Sequence, residues 1–222
     1  MNVYAVKIPD KVTDSEFIHY TRKIPTDRKE KLINILDRAE AVRSLFGILL
    51  IQKVLFENKG INPNNFSFLY NDYGKPLIDV PNAFHFNISH SEEWVVCATD
   101  NLPLGIDIEK VKPIDLEIAK QFFAKEEYDF INSRPDRDKL STFYEYWTLK
   151  ESYVKAIGKG LSIPLDSFSL FNNNGNYFIK GREGHNYYFY QQKINLDYVI
   201  ALCTHTNVSD FKIRYFKYDN LV

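Results

Sequence analysis

Two acidic side chains stand two positions apart in the apolar segment L-G-I-D-I-E, where Asp107 and Glu109 alternate with Ile106 and Ile108. On a strand, positions i and i+2 point to the same face, so the two carboxylates project together while the isoleucines pack on the other side. Paired carboxylates repel unless a positive charge sits between them. A hard divalent cation meets that need, and Mg²⁺ takes one or two carboxylates together with waters and substrate phosphates. A strand end with two solvated acids fits the same five residues. A second stretch, WTLKESYVKAIGKGL at 147–161, puts Glu151 and Lys155 four residues apart on one helix face. The pair also fits an ordinary surface salt bridge. However, Trp147, Leu149, Tyr153, Val154, Ala156 and Ile157 leave little polar surface there, and charges on such an element are paired or functional.

Two further stretches offer polar tips. In FNISHS, Asn87, Ser89, His90 and Ser91 fall between apolar runs. No Gly-x-Ser-x-Gly context or partner acid makes this a hydrolase triad, and the hydroxyl–imidazole group is better suited to hydrogen-bonding an anion. In YGKP, Pro76 is fixed in φ and Gly74 permits an unusual one, so Lys75 is held on a stiff turn, as a phosphate point contact or on a plain surface turn. No P-loop, G-x-G-x-x-G or zinc-spaced Cys/His set is present in the sequence.

The elements that hold these residues follow from periodicity. Residues 2–8 alternate as a strand, 14–24 read as a helix, and 24–36 form a second helical stretch carrying Arg28, Lys29 and Lys31. Asp37 and Glu40 make a D-x-x-E capping box before a helix over 38–57, in which Gly47 permits close approach of another segment. FSFLYNDYGKPLI reads as strand, turn, strand. FHFNISHS and WVVCATD read as strands with Ser89-His90-Ser91 between them. After GIDIE, 110–131 reads as helical with Phe122 and Phe123 in the core, 132–142 as a loop holding Pro135, and 142–160 as a helix closed by Gly158 and Gly160. The remaining third alternates as strands: FSLF, NYFIK, NYYFYQQ, YVIALCTH and FKIRYF. WVVCATD and YVIALCT echo each other, which fits two related α/β halves of similar length.

The 222 residues are 45% hydrophobic, enough for a substantial core, and the net charge of −1 lacks the basic excess of a nucleic-acid binder. Cys97 and Cys203 lie in apolar runs and read as buried thiols, which suggests a reducing compartment. The first residues lack the apolar region of a signal peptide, and FGILLI is too short to span a bilayer, so a cytoplasmic protein with no membrane partner is expected.

YGKP, FNISHS, GIDIE and WTLKESYVKAIGKGL occur in one order over nearly the whole chain. In this combination the sequence resembles the large, surfactin-synthetase-activating (Sfp-type) 4′-phosphopantetheinyl transferases. The resemblance implies an α+β fold of two similar α/β halves, 1–103 and 104–222, related by a pseudo-twofold with the active site in the cleft between them. It also implies a monomer. The implied reaction transfers 4′-phosphopantetheine from coenzyme A to a serine of an apo acyl or peptidyl carrier protein and releases 3′,5′-ADP. The setting implied is non-ribosomal peptide or polyketide synthesis. Carried over by position, Asp107, Glu109 and Glu151 are the Mg²⁺ ligands, Lys155 lies at the pyrophosphate, and Ser89 with His90 touches the coenzyme A phosphates. Lys75 lies near the adenine and ribose, while Arg28, Lys31, Arg43 and Ser44 stand against the 3′-phosphate. Arg28 occupies a position where lysine is common. Glu151 or a metal-bound water is the base; Lys155 and His90 stabilise the leaving phosphate. The carrier domain is expected to dock on Lys112, Ile114, Lys120 and their neighbours. A non-catalytic carrier-binding module and a Mg²⁺-dependent phosphohydrolase are the alternatives.

Overall fold

The computed structural model describes residues 1–62, 67–80, 83–173, 176–180 and 187–221. Phe66 and Asn186, where two of the expected strands begin, lie outside the described residues, as does Val222. The fold is α+β, and its element order repeats. The first half runs β1 (Asn2–Lys7), α1 (Asp14–Thr21), α2 (Thr26–Ile33), α3 (Arg38–Lys59), β2 (Phe68–Tyr70), β3 (Pro76–Ile78), β4 (His85–Ser91) and β5 (Trp94–Asp100). The second runs β6 (Leu104–Lys110), α4 (Ile118–Phe122), α5 (Lys125–Ser133), α6 (Asp136–Ile157), β7 (Leu170–Asn173), β8 (Asn176–Ile179), β9 (Tyr188–Ile194) and β10 (Tyr198–Thr204), followed by β11 (Ile213–Phe216). Each half is thus a strand, two short helices, one 22-residue helix, a small hairpin and a second hairpin.

The strands form a sheet ordered β11-β1-β5-β4 and another ordered β6-β10-β9. In each half the first strand pairs antiparallel with the last hairpin strand, β1 with β5 and β6 with β10. The echo between WVVCATD and YVIALCT is therefore an echo of position, since both strands are buried along their whole length. Alternation explains why. Val95 and Cys97 face the core under α3, while Val96 and Ala98 face a central cluster shared with Ile106, Ile108, Ile200 and Leu202. Val199, Ala201 and Cys203 face the core under α6. Both thiols are free and buried, and burial pushes the Cys203 thiol well up. The division expected at 103/104 would fall between β5 and β6, yet β11 crosses back and pairs parallel with β1.

Three expectations are corrected. The segment 132–142 is not all loop: α6 begins at Asp136, directly after Pro135, with Asp136 and Asp138 in its first turn. Proline before an acidic first turn is a helix start, and it outweighs the polarity that reads as loop. The stretch 110–131 is helical only from Ile118: Lys110 still belongs to β6, 111–117 holds no helix, and α4 and α5 are separated at Phe123, whose backbone is extended. At this break the two aromatic neighbours part, against the expectation of both in the core: Phe123 stacks on Phe143 inside, while Phe122 stays 41% exposed beside Trp147. Finally, Ser89, His90 and Ser91 belong to β4, and the turn falls on Glu92 and Glu93.

Candidate active site

β4 and β6 run side by side at the junction of the two sheets, joined by side chains. Asn87 Oδ1 accepts the Ile106 N–H at 2.8 Å, Ser89 Oγ the Ile108 N–H at 3.3 Å, and Ser91 Oγ the Lys110 N–H at 3.1 Å. Alternate residues of FNISHS thus replace the carbonyls of a regular ladder. The two hydroxyls pass the contact on: Ser89 donates to Asp107 Oδ1 at 2.8 Å and Ser91 to Glu109 at 3.0 Å. The polar residues of one motif hold the carboxylates of the other in place.

The third motif closes on this seam from α6. Gly105 lets the helix backbone press onto β6: a Cβ at this position would stand 2.0 Å from the Ser152 carbonyl oxygen. That approach brings Lys155 Nζ to 2.6 Å from Asp107 Oδ1 and 2.9 Å from Ser89 Oγ. Asp107, Glu109, Glu151, Lys155, Ser89, His90 and Trp147 line one open cavity of about 450 Å³. Burial, and then the charge of Asp107, pushes the Glu109 carboxyl up to about 7 and also raises that of Glu151. Asp107 Oδ2 is buried with no hydrogen-bond partner. Three acids face a single lysine, so the cavity has unbalanced negative charge and an orphaned carboxylate oxygen. Among the described residues, no three His, Cys, Asp or Glu side chains stand close enough to hold a metal by themselves. The donor set instead fits a cation that keeps open positions for water and phosphate, as Mg²⁺ does.

A second cavity of about 250 Å³ adjoins the first through Ile88 and His90 and is lined by Arg28, Lys31, Ser44, Gly47, Phe68 and Pro76. The Arg28 guanidinium lies 4.0 Å from the Phe68 ring centre, and the Lys31 ammonium 3.4 Å from that of Tyr70. Arg28 Nε is buried with no partner, and burial lowers the proton affinity of the group. Cations held on aromatic faces, with a donor unused, make a site for an anion. Gly47 keeps the floor open, since a Cβ there would meet Ile88 Cγ2 at 3.2 Å.

His90 joins the two cavities, and a residue that the sequence reading cast otherwise holds it. Glu40 does not close a capping box; Asp37 alone caps α3 through the Ala39 and Glu40 N–H groups. The Glu40 carboxylate instead faces His90 Nε2 at 3.3 Å and Arg43 at 3.1 Å. Burial pushes the His90 imidazole down, against the pull of Glu40 and with help from Lys155 and Arg43. Arg43 is thus committed to Glu40 and contributes to neither cavity lining, whereas Ser44 does. Nothing in the spacing of Glu40 distinguishes it from a capping residue.

Lys75 is the other departure. Its ammonium donates to the carbonyls of Lys155, Leu104 and Ala156 at 2.6, 3.0 and 3.4 Å, and it lines neither cavity. The resemblance puts Lys75 near the adenine and ribose; here the three donors of its ammonium already have three acceptors. Burial lowers its affinity for its proton to about 8.

A strand-borne pair of acids, a helix-borne Glu–Lys pair and an adjoining cationic pocket suit a phosphorylated ligand beside a cation. Comparison with known proteins gives the family. The description "4′-phosphopantetheinyl transferase superfamily" matches residues 103–203, and "4′-phosphopantetheinyl transferase, N-terminal" matches 11–102. The chain is 38% identical over 206 residues to 4′-phosphopantetheinyl transferase Sfp of Bacillus subtilis (strain 168), covering 91% of this chain and 92% of that one. It is 44% identical over 168 residues to 4′-phosphopantetheinyl transferase gsp of Aneurinibacillus migulanus, covering 76% of this chain and 70% of that one. The chain belongs to the 4′-phosphopantetheinyl transferase superfamily.

Proposed function

We propose that the protein transfers 4′-phosphopantetheine from coenzyme A to a serine of apo carrier protein domains, in the service of peptide synthesis. The observation that carries this reading is the pair of adjoining cavities meeting at His90, one cationic and aromatic, the other acidic with an orphaned carboxylate oxygen. A ligand with a nucleotide phosphate at one end and a pyrophosphate at the other spans such a pair. Family membership supports the same substrates.

Arg28, Lys31 and Ser44 hold the 3′-phosphate end in this reading, with Arg28 oriented by Phe68 and Tyr70. His90 and Lys155 flank the pyrophosphate, and Ser89 fixes the lysine. Asp107, Glu109 and Glu151, together with waters and ligand phosphates, would hold Mg²⁺, which when bound would supply charge neutralisation and Lewis acidity. The carrier serine oxygen forms a bond to the phosphorus that bears pantetheine, and the bond to the 3′,5′-ADP oxygen breaks. Phosphoryl transfer of this kind depends on position and charge more than on covalent help. Glu151, half-buried beside Asp107, takes the serine proton directly or through a water. Lys155 and His90 stabilise the charge on the departing phosphate.

Among the described residues no helix is long and apolar enough to cross a membrane. We place the protein in the cytoplasm as a monomer, its halves 1–103 and 104–222 supplying the two sides of one site. Coenzyme A, Mg²⁺ and a panel of apo carrier domains, read by intact mass, test the reading. A carrier that gains the phosphopantetheine mass supports it. Label from coenzyme A appearing only in free product makes the protein a phosphohydrolase. Carrier binding without any turnover makes it a docking module.

A further inference from the structure

The turn that carries Lys75 belongs to the first half, yet every acceptor its ammonium finds lies in the second. Asn71 builds the turn: its Oδ1 accepts the N–H groups of Tyr73 and Lys75 at 3.0 and 2.8 Å, and Gly74 turns the chain with φ of +83°. The Asn71 Nδ2 then donates to the Gly158 carbonyl at 2.7 Å. Gly158 ends α6 with φ of +78°, and a Cβ there would stand 2.9 Å from Lys75 Cδ. The Lys75 stem therefore passes through space that only glycine leaves open.

What the ammonium reaches is the ground on which the site stands. The carbonyls of Lys155 and Ala156 are among the last four of α6, which a helix leaves without internal donors. The carbonyl of Leu104 opens β6, three residues before Asp107. One cation thus ties the end of the helix bearing Glu151 and Lys155 to the start of the strand bearing Asp107 and Glu109. Lys155 is held at both ends, its carbonyl by Lys75 and its side chain by Asp107 and Ser89.

We infer that Lys75 is a positioning residue, which with Asn71 clamps the end of α6 onto β6 and so sets the distance between Lys155 and Asp107. The consequence for catalysis rests on the transferase reading of the site. The clamp itself does not, and the two can fail separately. A cation at a helix C-terminus also complements its partial negative charge.

The test compares Lys75→Met with the unmodified protein. Carrier modification should lose about tenfold or more in kcat, because small misplacements of reacting groups are costly. The KM for coenzyme A should stay within about threefold, the signature of an interaction that acts on the transition state. A raised KM with unchanged kcat would make Lys75 a ligand contact and overturn the clamp. Amide hydrogen exchange without any ligand gives the second readout: residues 155–158 should exchange faster in Lys75→Met. Unchanged exchange overturns the inference whether or not the chain transfers phosphopantetheine. An unmodified protein with no transfer sinks the transferase reading and leaves the clamp to be decided by exchange. Where Lys75→Met does not fold, Asn71→Ala carries both measurements. It keeps the ammonium and should show the same changes at smaller size; unchanged kcat and unchanged exchange in Asn71→Ala overturn the clamp.

Discussion

Asp107 is the most heavily committed carboxylate of the site, with Lys155 and Ser89 on one oxygen and nothing on the other. Asp107→Asn keeps the shape, removes one of three crowded negative charges, and takes away the oxygen proposed for Mg²⁺. Transfer should fall by about a hundredfold or more, since a metal's stabilisation of transition-state charge is worth several kcal/mol. The melting temperature should move by only a few degrees, about what a 1 kcal/mol change produces in a chain of this size. Paired mass-spectrometric assays and thermal melts check this, and an active Asp107→Asn in Mg²⁺ removes the ligand assignment. At the other end of the site, Arg28 and Lys31 sit on aromatic faces with capacity to spare. Dephospho-coenzyme A should bind more weakly than coenzyme A, and Arg28→Gln with Lys31→Gln should shrink that gap. Equal affinities in the unmodified protein, measured by calorimetry, would refute a 3′-phosphate pocket. That Asp107 and Glu109, and likewise Glu151 and Lys155, share a face was legible because i, i+2 on a strand and i, i+4 on a helix point the same way, whereas the role of His90 rested on the resemblance. Lys75 and Glu40 were not. The acceptors of Lys75 are backbone carbonyls up to 81 residues away, and the partner of Glu40 is a histidine on another element. No local pattern encodes either.

The seam between β4 and β6 is the element-scale feature that makes the site rigid. Three polar side chains take over the work of a strand's carbonyls, and they differ in burial: Asn87 and Ser89 are buried, while Ser91 is half-buried. Removing an acceptor strands an N–H, and the penalty is paid only where water cannot replace it. Asn87→Ala should therefore cost about 1–3 kcal/mol of unfolding free energy, the desolvation penalty of a buried unsatisfied donor. Ser91→Ala should cost less than Asn87→Ala, because water can reach the Lys110 N–H. Urea denaturation of the two variants checks the order, and a reversed order would mean that the seam is not held by these bonds. The seam also explains why β4 was read as ending early. Serine and histidine between apolar runs look like a loop when no partner is visible, and the partner here is a strand that follows in the chain. The long helices were easier. Asp37 and Gly60 bound α3, while Pro135 and Gly158 bound α6, and only the start of α6 was hidden by the exposed charges of its first turns.

At the scale of the whole molecule, two copies of one element order meet along that seam, and the second copy carries an exposed ridge that follows directly on the strand of the acids. Residues 111–117 leave β6 just after Glu109, and the Tyr144 hydroxyl donates to the Lys112 carbonyl at 3.1 Å, which anchors the segment from α6. Lys112 and Lys120 are exposed, Ile114 is 39% exposed, and Phe122 is edge-on to Trp147, which itself lines the acidic cavity. Exposed apolar residues flanked by lysines and continuous with the site suit an acidic helix that brings a serine to the pyrophosphate. The Lys112–Glu92 pair at 3.2 Å does not weaken this, because both side chains are exposed and such pairs are worth about 0–1 kcal/mol. Lys112→Glu with Lys120→Glu should raise the KM for the carrier domain several-fold at low salt and leave coenzyme A binding unchanged. The difference from the unmodified protein should narrow as salt rises, since exposed charges are screened over about 8 Å at physiological ionic strength. Steady-state kinetics against carrier concentration at two ionic strengths measures this. An unchanged carrier KM at low salt would move the docking surface elsewhere, with the start of α6 and the turn before it, 132–142, the next region to test.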